Sequence, residues 1–170
     1  MNKEVSMDDI IDILIEKLES GGTVTFTPRG TSMLPMLRDG EDVVVLSKPK
    51  GRLHLFDVPL YKRINGAYVL HRIIDYDPDG SYVLCGDNQF EREHGIKDEN
   101  IIAVVTAFYR KGKTYRADSI RYRLYVNFWY YTRFFRHAYA FGKNRTSRLL
   151  GRGIKKKNEE NSVTERKENI

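Results

Sequence analysis

The sequence predicts a mainly β protein, with a coiled antiparallel β-sheet domain between an N-terminal helix and a C-terminal aromatic and basic helix. Three patterns support this prediction: β-branched and aromatic stretches separated by turn signals, apolar residues at helical spacing near the N-terminus, and dense aromatic residues after the β region. We therefore divide the chain into an amphipathic helix (residues 1–21), a β domain (22–116), a basic aromatic helical tail (117–157) and a disordered end (158–170).

The first predicted element is a helix over residues 6–20. Ser6 and Asp9 form a start that resembles a capping box, and residues 20–22 (SGG) end the helix. Four apolar residues are expected on one face: Ile10, Ile13, Leu14 and Leu18. Because acidic residues interrupt the apolar run, we expect neither a signal peptide nor a transmembrane span here.

The β domain is predicted to contain six short strands. They are rich in β-branched and aromatic residues, and they cover residues 23–27, 43–46, 58–63, 68–74, 82–85 and 101–109. Asn65-Gly66 predicts a hairpin turn between two of these strands, and residues 78–80 (PDG) predict another turn. Residues 110–116 are mostly basic and are interpreted as a turn that leads into the tail.

Residues 30–37 (GTSMLPML) are the stretch around which the β domain is organised. A strand-like segment precedes Ser32 and an apolar run follows, so Ser32 is expected where a strand ends in a short turn. Gly30 allows a close backbone approach, and Pro35 suits the first turn of a short helix. A serine in such a turn meets the requirements of a nucleophile beside oxyanion-binding amides. The alternative interpretation is that Ser32 caps the N-terminus of that helix.

Four segments in a specific order resemble the signal peptidase and LexA-like family of serine peptidases. They are residues 30–35 (GTSMLP), 39–45 (DGEDVVV), 68–73 (YVLHRI) and 86–88 (GDN), and the resemblance spans roughly residues 22–108. It implies a serine endopeptidase that cleaves leader or signal segments without a metal or cofactor. It also implies a peptide or protein substrate that lies as an added strand, with small side chains beside the scissile bond.

The resemblance implies that His71 is the general base, as in the histidine subtype of this family. Lys62 resembles the lysine base of the bacterial members and remains the alternative, on the other arm of the predicted hairpin. A neutral imidazole with an ordinary pKa of about 6.5 is already a base at neutral pH, whereas a lysine must first be buried. Without the Ser32 pattern, His71 would be interpreted as a half-buried structural histidine.

Asp87 is implied by the resemblance to accept a hydrogen bond from the imidazole and so to orient it. The alternative is a turn aspartate without a catalytic role. Members of this subtype often carry a second aspartate a few residues later, where this chain has Glu91 and Glu93.

The oxyanion site is expected to consist of backbone amides. Many signal peptidases have a serine two residues before the nucleophile, where this chain has Gly30. The amide of Ser32 would therefore serve, with the Thr31 hydroxyl as a further candidate. No metal site is expected, because His94 has no companion at metal-ligand spacing.

The C-terminal part of the chain is strongly basic. Residues 1–106 contain 12 Lys/Arg and 18 Asp/Glu, whereas residues 107–170 contain 17 Lys/Arg and 5 Asp/Glu. Residues 118–141 are predicted as a helix that Asp118 or Ser119 caps and Gly142 ends. One face is expected to carry Tyr125, Phe128, Trp129, Thr132, Phe135 and Tyr139.

This helix is expected to lie in the plane of an anionic membrane, assisted by the basic residues 143–157. Its arginines argue against a spanning helix, since each costs about 2.5–3.5 kcal/mol at the bilayer centre. The expected location is therefore the membrane surface, as a peripheral protein, or else the cytoplasm. The alternative is that the aromatic face packs on the β domain.

Two functional hypotheses follow. The first is a serine endopeptidase with a Ser32–His71 dyad oriented by Asp87. The second is a non-catalytic β module that binds a membrane or nucleic acid through its basic tail. The order Ser32, His71, Asp87 favours the first, because a binding module has no reason to keep it, and we expect no specific nucleic-acid partner.

Overall fold

The protein is mainly β, with two helices and a curled antiparallel sheet, as the sequence predicts. The computed structural model describes residues 7–132; the predicted cap at Ser6 and the predictions for residues 133–170 lie outside this range. Within it, the elements in chain order are α1 (Met7–Glu19), β1 (Val24–Phe26), β2 (Val43–Ser47), β3 (Pro59–Lys62), β4 (Tyr68–Leu70), β5 (Arg72–Tyr76), β6 (Tyr82–Cys85), β7 (Glu93–Ile96), β8 (Ile101–Arg110), β9 (Lys113–Arg116) and α2 (Ile120–Tyr131).

The strands form two antiparallel sheets. The larger has six strands in the order β1-β2-β8-β3-β4, with β9 paired to β8, and the smaller has the order β5-β6-β7. The long central strand β8 shifts register against both β2 and β3, and such bulges bend a strand and increase its twist. Residues of both sheets contribute to one buried apolar cluster, which consists of Leu53, Tyr61, Ile73, Tyr82, Leu84 and Ile96.

The segment predicted as one strand over residues 68–74 is divided at His71. Its first part, β4, pairs with β3 in the large sheet, and its second part, β5, pairs with β6 in the small sheet. At the start of β5, the Ile73 amide donates to the Asp57 carbonyl (2.9 Å). His71 therefore lies where the chain crosses from one sheet to the other.

Two strands were not expected from the sequence. β7 is polar apart from its last residue, and β9 lies in the segment that we interpreted as a basic turn. That segment is a hairpin: Lys111 (φ +49°) and Gly112 (φ +73°) turn the chain, as the twist of a two-residue connection requires. Both strands lie at sheet edges, where side chains need not be apolar because one side faces solvent.

Helix α1 is present as predicted, but with a different buried face. Ile11, Leu14 and Leu18 are buried, at the spacing of one helical stripe, whereas Ile10 and Ile13 are exposed. The predicted end is confirmed, because the amides of Gly21 and Gly22 donate to carbonyls of the last turn in the manner of a Schellman motif.

Ser32 begins a turn and not a helix. The Leu37 amide donates to the Met33 carbonyl (2.9 Å), and the Leu34–Pro35 bond is cis. Because a residue that precedes proline avoids the helical region of backbone space, Pro35 opposes a helix that includes Leu34. The interpretation of Ser32 as a helix cap is therefore wrong.

Helix α2 begins at the predicted cap, since the Ser119 hydroxyl accepts a hydrogen bond from the Tyr122 amide (3.3 Å). The apolar stripe on its exposed side differs from the predicted face. It consists of Ile120, Leu124, Phe128 and Tyr131, which are 66–77% exposed. Phe128 is shared with the prediction, Tyr125 and Trp129 are half-buried, and Phe135 and Tyr139 lie outside the described residues. Across residues 7–132, no helix has the length and apolarity to cross a membrane.

Candidate active site

Ser32 and His71 line the same cleft, which has a volume of about 260 Å³. Its lining comes from the chain before and after Ser32 and from β4 and His71, together with Arg63 and Gln89. The sequence separation of these two residues is bridged by the fold, because His71 stands where β4 leaves the large sheet. The structure thus brings the predicted nucleophile and the predicted base to one site.

The loop of residues 86–88 holds the turn at Ser32. The Asn88 amide donates to the Ser32 carbonyl (2.8 Å), and the Asn88 side chain donates to the Thr31 carbonyl (3.3 Å). A Cβ atom on Gly86 would lie 2.7 Å from the Ser32 carbonyl oxygen and 3.1 Å from its Cβ. Glycine is therefore needed at position 86, because any side chain would push this loop away from Ser32.

The backbone amide of Ser32 donates no hydrogen bond within residues 7–132, so it is available to an oxyanion. The Gly30 amide is engaged, since it donates to the Asp39 carboxylate (2.9 Å). Thr31 is exposed. Of the two expected oxyanion donors, Ser32 and Thr31, the Ser32 amide therefore has the required freedom; the Gly30 amide, which was not among them, is already engaged.

The His71 side chain is only 2% exposed, and two groups contact its Nδ1 atom. The Glu93 carboxylate lies 2.9 Å away, and the Tyr61 hydroxyl lies 3.2 Å away. Burial lowers the pKa of His71 below its ordinary value, although Glu93 acts in the opposite direction. His71 is therefore neutral at neutral pH, as a general base must be.

Glu93 is held in place by Arg63. The Arg63 Nε atom donates to one Glu93 oxygen (2.8 Å), and a terminal nitrogen of the same guanidinium donates to the other. Burial alone would raise the pKa of Glu93, but the hydrogen bonds from Arg63 and Tyr61 lower it overall. An ionised, oriented carboxylate thus contacts His71 from β7, in the region where members of the histidine subtype often carry a second aspartate and this chain has Glu91 and Glu93.

Asp87 does not take the place that we expected for it. It forms a two-pronged ion pair with Arg72, with both N–O distances at 2.7 Å and with side chains 4% and 3% exposed, respectively. Arg72 follows His71 in the chain and begins β5, and successive side chains of an extended segment point to opposite sides. The hydrogen-bonded carboxylate partner of His71 is therefore Glu93, and that of Arg72 is Asp87.

Lys62, the alternative base, is exposed at the end of β3 and does not line the cleft. Its ammonium lies 5.0 Å from the centre of the Tyr68 ring. The neighbouring Tyr61 is fully buried and contacts His71, so alternation along β3 directs Lys62 to the other face. An exposed lysine lacks the burial that would make it a base at neutral pH.

Comparison with models of protein families, with curated proteins and with solved structures finds no match for this chain. Within residues 7–132, no group of three or more His, Cys, Asp or Glu side chains could hold a metal ion. The chemistry of the site is therefore argued from its own geometry.

Proposed function

We propose that this protein is a serine endopeptidase of the signal peptidase type, with Ser32 as the nucleophile and His71 as the general base. The observation that carries this proposal is the shared cleft, which Ser32 lines together with a buried, neutral histidine. The contact between Glu93 and Nδ1 supports it, because a histidine oriented by a carboxylate is the usual partner of a nucleophilic serine.

Glu93 sets the tautomer of His71. Because the carboxylate is ionised, Nδ1 carries the proton and donates a hydrogen bond to Glu93, which leaves the lone pair on Nε2. Nε2 takes the proton of the Ser32 hydroxyl as the oxygen attacks the carbonyl carbon. The oxyanion accepts a hydrogen bond from the Ser32 amide. His71 then passes the proton to the leaving amine, and a water molecule activated by Nε2 releases the acyl group from Ser32.

The substrate is an extended peptide that carries small side chains near the scissile bond. β4 is the last strand of the large sheet in the described residues, and it forms a wall of the cleft. A peptide added beside β4 would pair with the outer edge of this strand and lie along the cleft that Ser32 and His71 line. The cleft volume of about 260 Å³ is below the usual range for small-molecule pockets, which favours small side chains.

The test is cleavage of a peptide library by wild-type protein and by Ser32→Ala, analysed by mass spectrometry. Loss of a nucleophile removes several orders of magnitude of rate, so the variant should leave the library intact. Lys62→Ala is the matched control and should cut at the wild-type sites. Circular dichroism of both variants checks that the fold is kept. Equal cleavage by wild type and Ser32→Ala would exclude Ser32 as the nucleophile.

We also propose that α2 binds an anionic membrane surface, independently of catalysis. The exposed apolar stripe of this helix supports this proposal, because it is flanked by the exposed Arg121 and Arg123. The net charge of residues 107–170 is +12, which favours negatively charged lipid headgroups. An apolar stripe beside cationic side chains is typical of helices that lie in the membrane interface.

A further inference from the structure

We propose that Arg29 makes the cleft selective for peptides that carry an acidic side chain close to the scissile bond. This inference rests on the proposed peptidase function, since it names the substrate class of the same cleft. Arg29 precedes Ser32 by three residues and lines the cleft together with Ser32 and His71.

The charges around the cleft are unbalanced. Three arginines line it, at positions 29, 38 and 63, and none of its lining residues is acidic. Arg38 is neutralised by the buried Asp42, which it contacts at 2.5 and 3.1 Å, and Arg63 is neutralised by Glu93. Arg29 forms no hydrogen bond or ion pair with any of the described residues. Among the three arginines that line the cleft, Arg29 therefore has the positive charge that no described carboxylate neutralises and that a ligand could pair with.

The backbone on both sides of Arg29 is fixed. The Gly40 amide donates to the Pro28 carbonyl (3.1 Å), and the Gly30 amide donates to the Asp39 carboxylate (2.9 Å). The guanidinium lies over Gly40, where an added Cβ atom would come within 2.4 Å of its Nη1 atom. The Asp39 carboxylate thus accepts a backbone hydrogen bond and forms no ion pair with Arg29, and the backbone next to Arg29 is held on both sides.

A peptide that lies in this cleft therefore meets the Arg29 side chain, which lines the cleft together with Ser32 and His71. A Glu or Asp side chain can pair with it, whereas a Lys or Arg side chain is repelled. Because Arg29 is exposed, the preference is that of a surface ion pair, about 1.4- to 5-fold over an uncharged side chain at low salt. It should weaken at high salt, since exposed charges are screened.

The test uses fluorescein-labelled, alanine-rich peptides with Glu, Gln or Lys placed in turn at each position. Fluorescence anisotropy measures their binding to Ser32→Ala protein, and kcat/KM is measured with wild type. We expect one position at which Glu exceeds Gln by about 1.4- to 5-fold and Lys is weakest. In the Ser32→Ala background, Arg29→Gln should abolish this preference and Arg29→Glu should invert it in favour of Lys.

Lys50→Glu is the matched control, because it makes the same change of charge at an exposed site that does not line the cleft. It should keep the wild-type preference. Equal binding of Glu and Gln peptides, or the same shift with Lys50→Glu as with Arg29→Glu, would overturn the proposal. Selective binding without cleavage would reject the peptidase function and uphold the role of Arg29. Absence of both binding and cleavage would overturn both.

Discussion

Replacement of Asp87 by Asn should destabilise the fold, because Asp87 neutralises a buried arginine. Arg72 and Asp87 are 3% and 4% exposed, and their ion pair has two N–O distances of 2.7 Å. Removal of one partner of a buried ion pair costs about 3–5 kcal/mol, since the other charge stays buried without compensation. Asparagine keeps one acceptor oxygen, so about one charge-assisted hydrogen bond of about 1.5–3 kcal/mol is lost, and the rest of the cost comes from the buried charge of Arg72. This loss is a large part of the total stability of a domain.

The assay is urea unfolding of wild type and Asp87→Asn, followed by circular dichroism at neutral pH. Asp118→Asn is the matched control, because Asp118 pairs with Arg116 at 2.6 Å but both side chains are exposed. The control should change the free energy of unfolding much less, since water screens an exposed pair. A cost below about 1 kcal/mol for Asp87→Asn, together with loss of cleavage, would refute this reasoning. Asp87 would then act on the reaction and not on Arg72.

Three further predictions concern the base, its orientation and the membrane. Cleavage should rise with pH through one ionisation with a midpoint below the ordinary histidine pKa of about 6.5, because burial lowers the pKa of His71. A pH–rate profile checks this prediction. Activity that survives in His71→Ala but not in Lys62→Ala would contradict it. Glu93→Gln should lower kcat at least about ten-fold, because the carboxylate orients His71. It should also move the midpoint of the pH profile of kcat/KM to lower pH, because the carboxylate favours the protonated form of His71. An unchanged midpoint would oppose this role of Glu93. Full-length protein should pellet with anionic liposomes at low salt and less at high salt, whereas the double variant Leu124→Ser/Phe128→Ser should stay in the supernatant. Equal pelleting with neutral liposomes would argue against membrane binding by α2.

The strands that bury apolar residues could be predicted from the sequence. β6 has the predicted bounds, and the turn at Asn65-Gly66 joins β3 to β4 as expected. β7 and β9 could not be predicted, because an edge strand has no need of an apolar pattern. The break between β4 and β5 at His71 could not be predicted either, since residues 68–74 have a continuous strand-like composition. The change of sheet depends on the pairing of β4 with β3 and of β5 with β6.

The residues of the candidate site were predictable to a similar degree. The turn chemistry around Ser32 and the segment around His71 were both recognisable, and the structure brings the two residues to one cleft. The contact of Glu93 with His71 could not be predicted from the sequence, because it joins β7 to the end of β4 across the fold. A hint was present in the acidic residues that follow residues 86–88. Asp87 was assigned to His71 because sequence order does not show on which side of an extended segment a side chain lies.

Covalent labelling of Ser32 tests the central claim most directly. Wild-type protein, Ser32→Ala and His71→Ala would be incubated with a small activated carboxylic ester at neutral pH, then digested and mapped by mass spectrometry. We predict an acyl group on the wild-type peptide that contains Ser32, none at this position in Ser32→Ala, and labelling slowed by a factor of about 10²–10⁴ in His71→Ala. Labelling of Ser32 at the same rate with and without His71, or no labelling of Ser32 in the wild type, would contradict the assignment of these two residues as nucleophile and base.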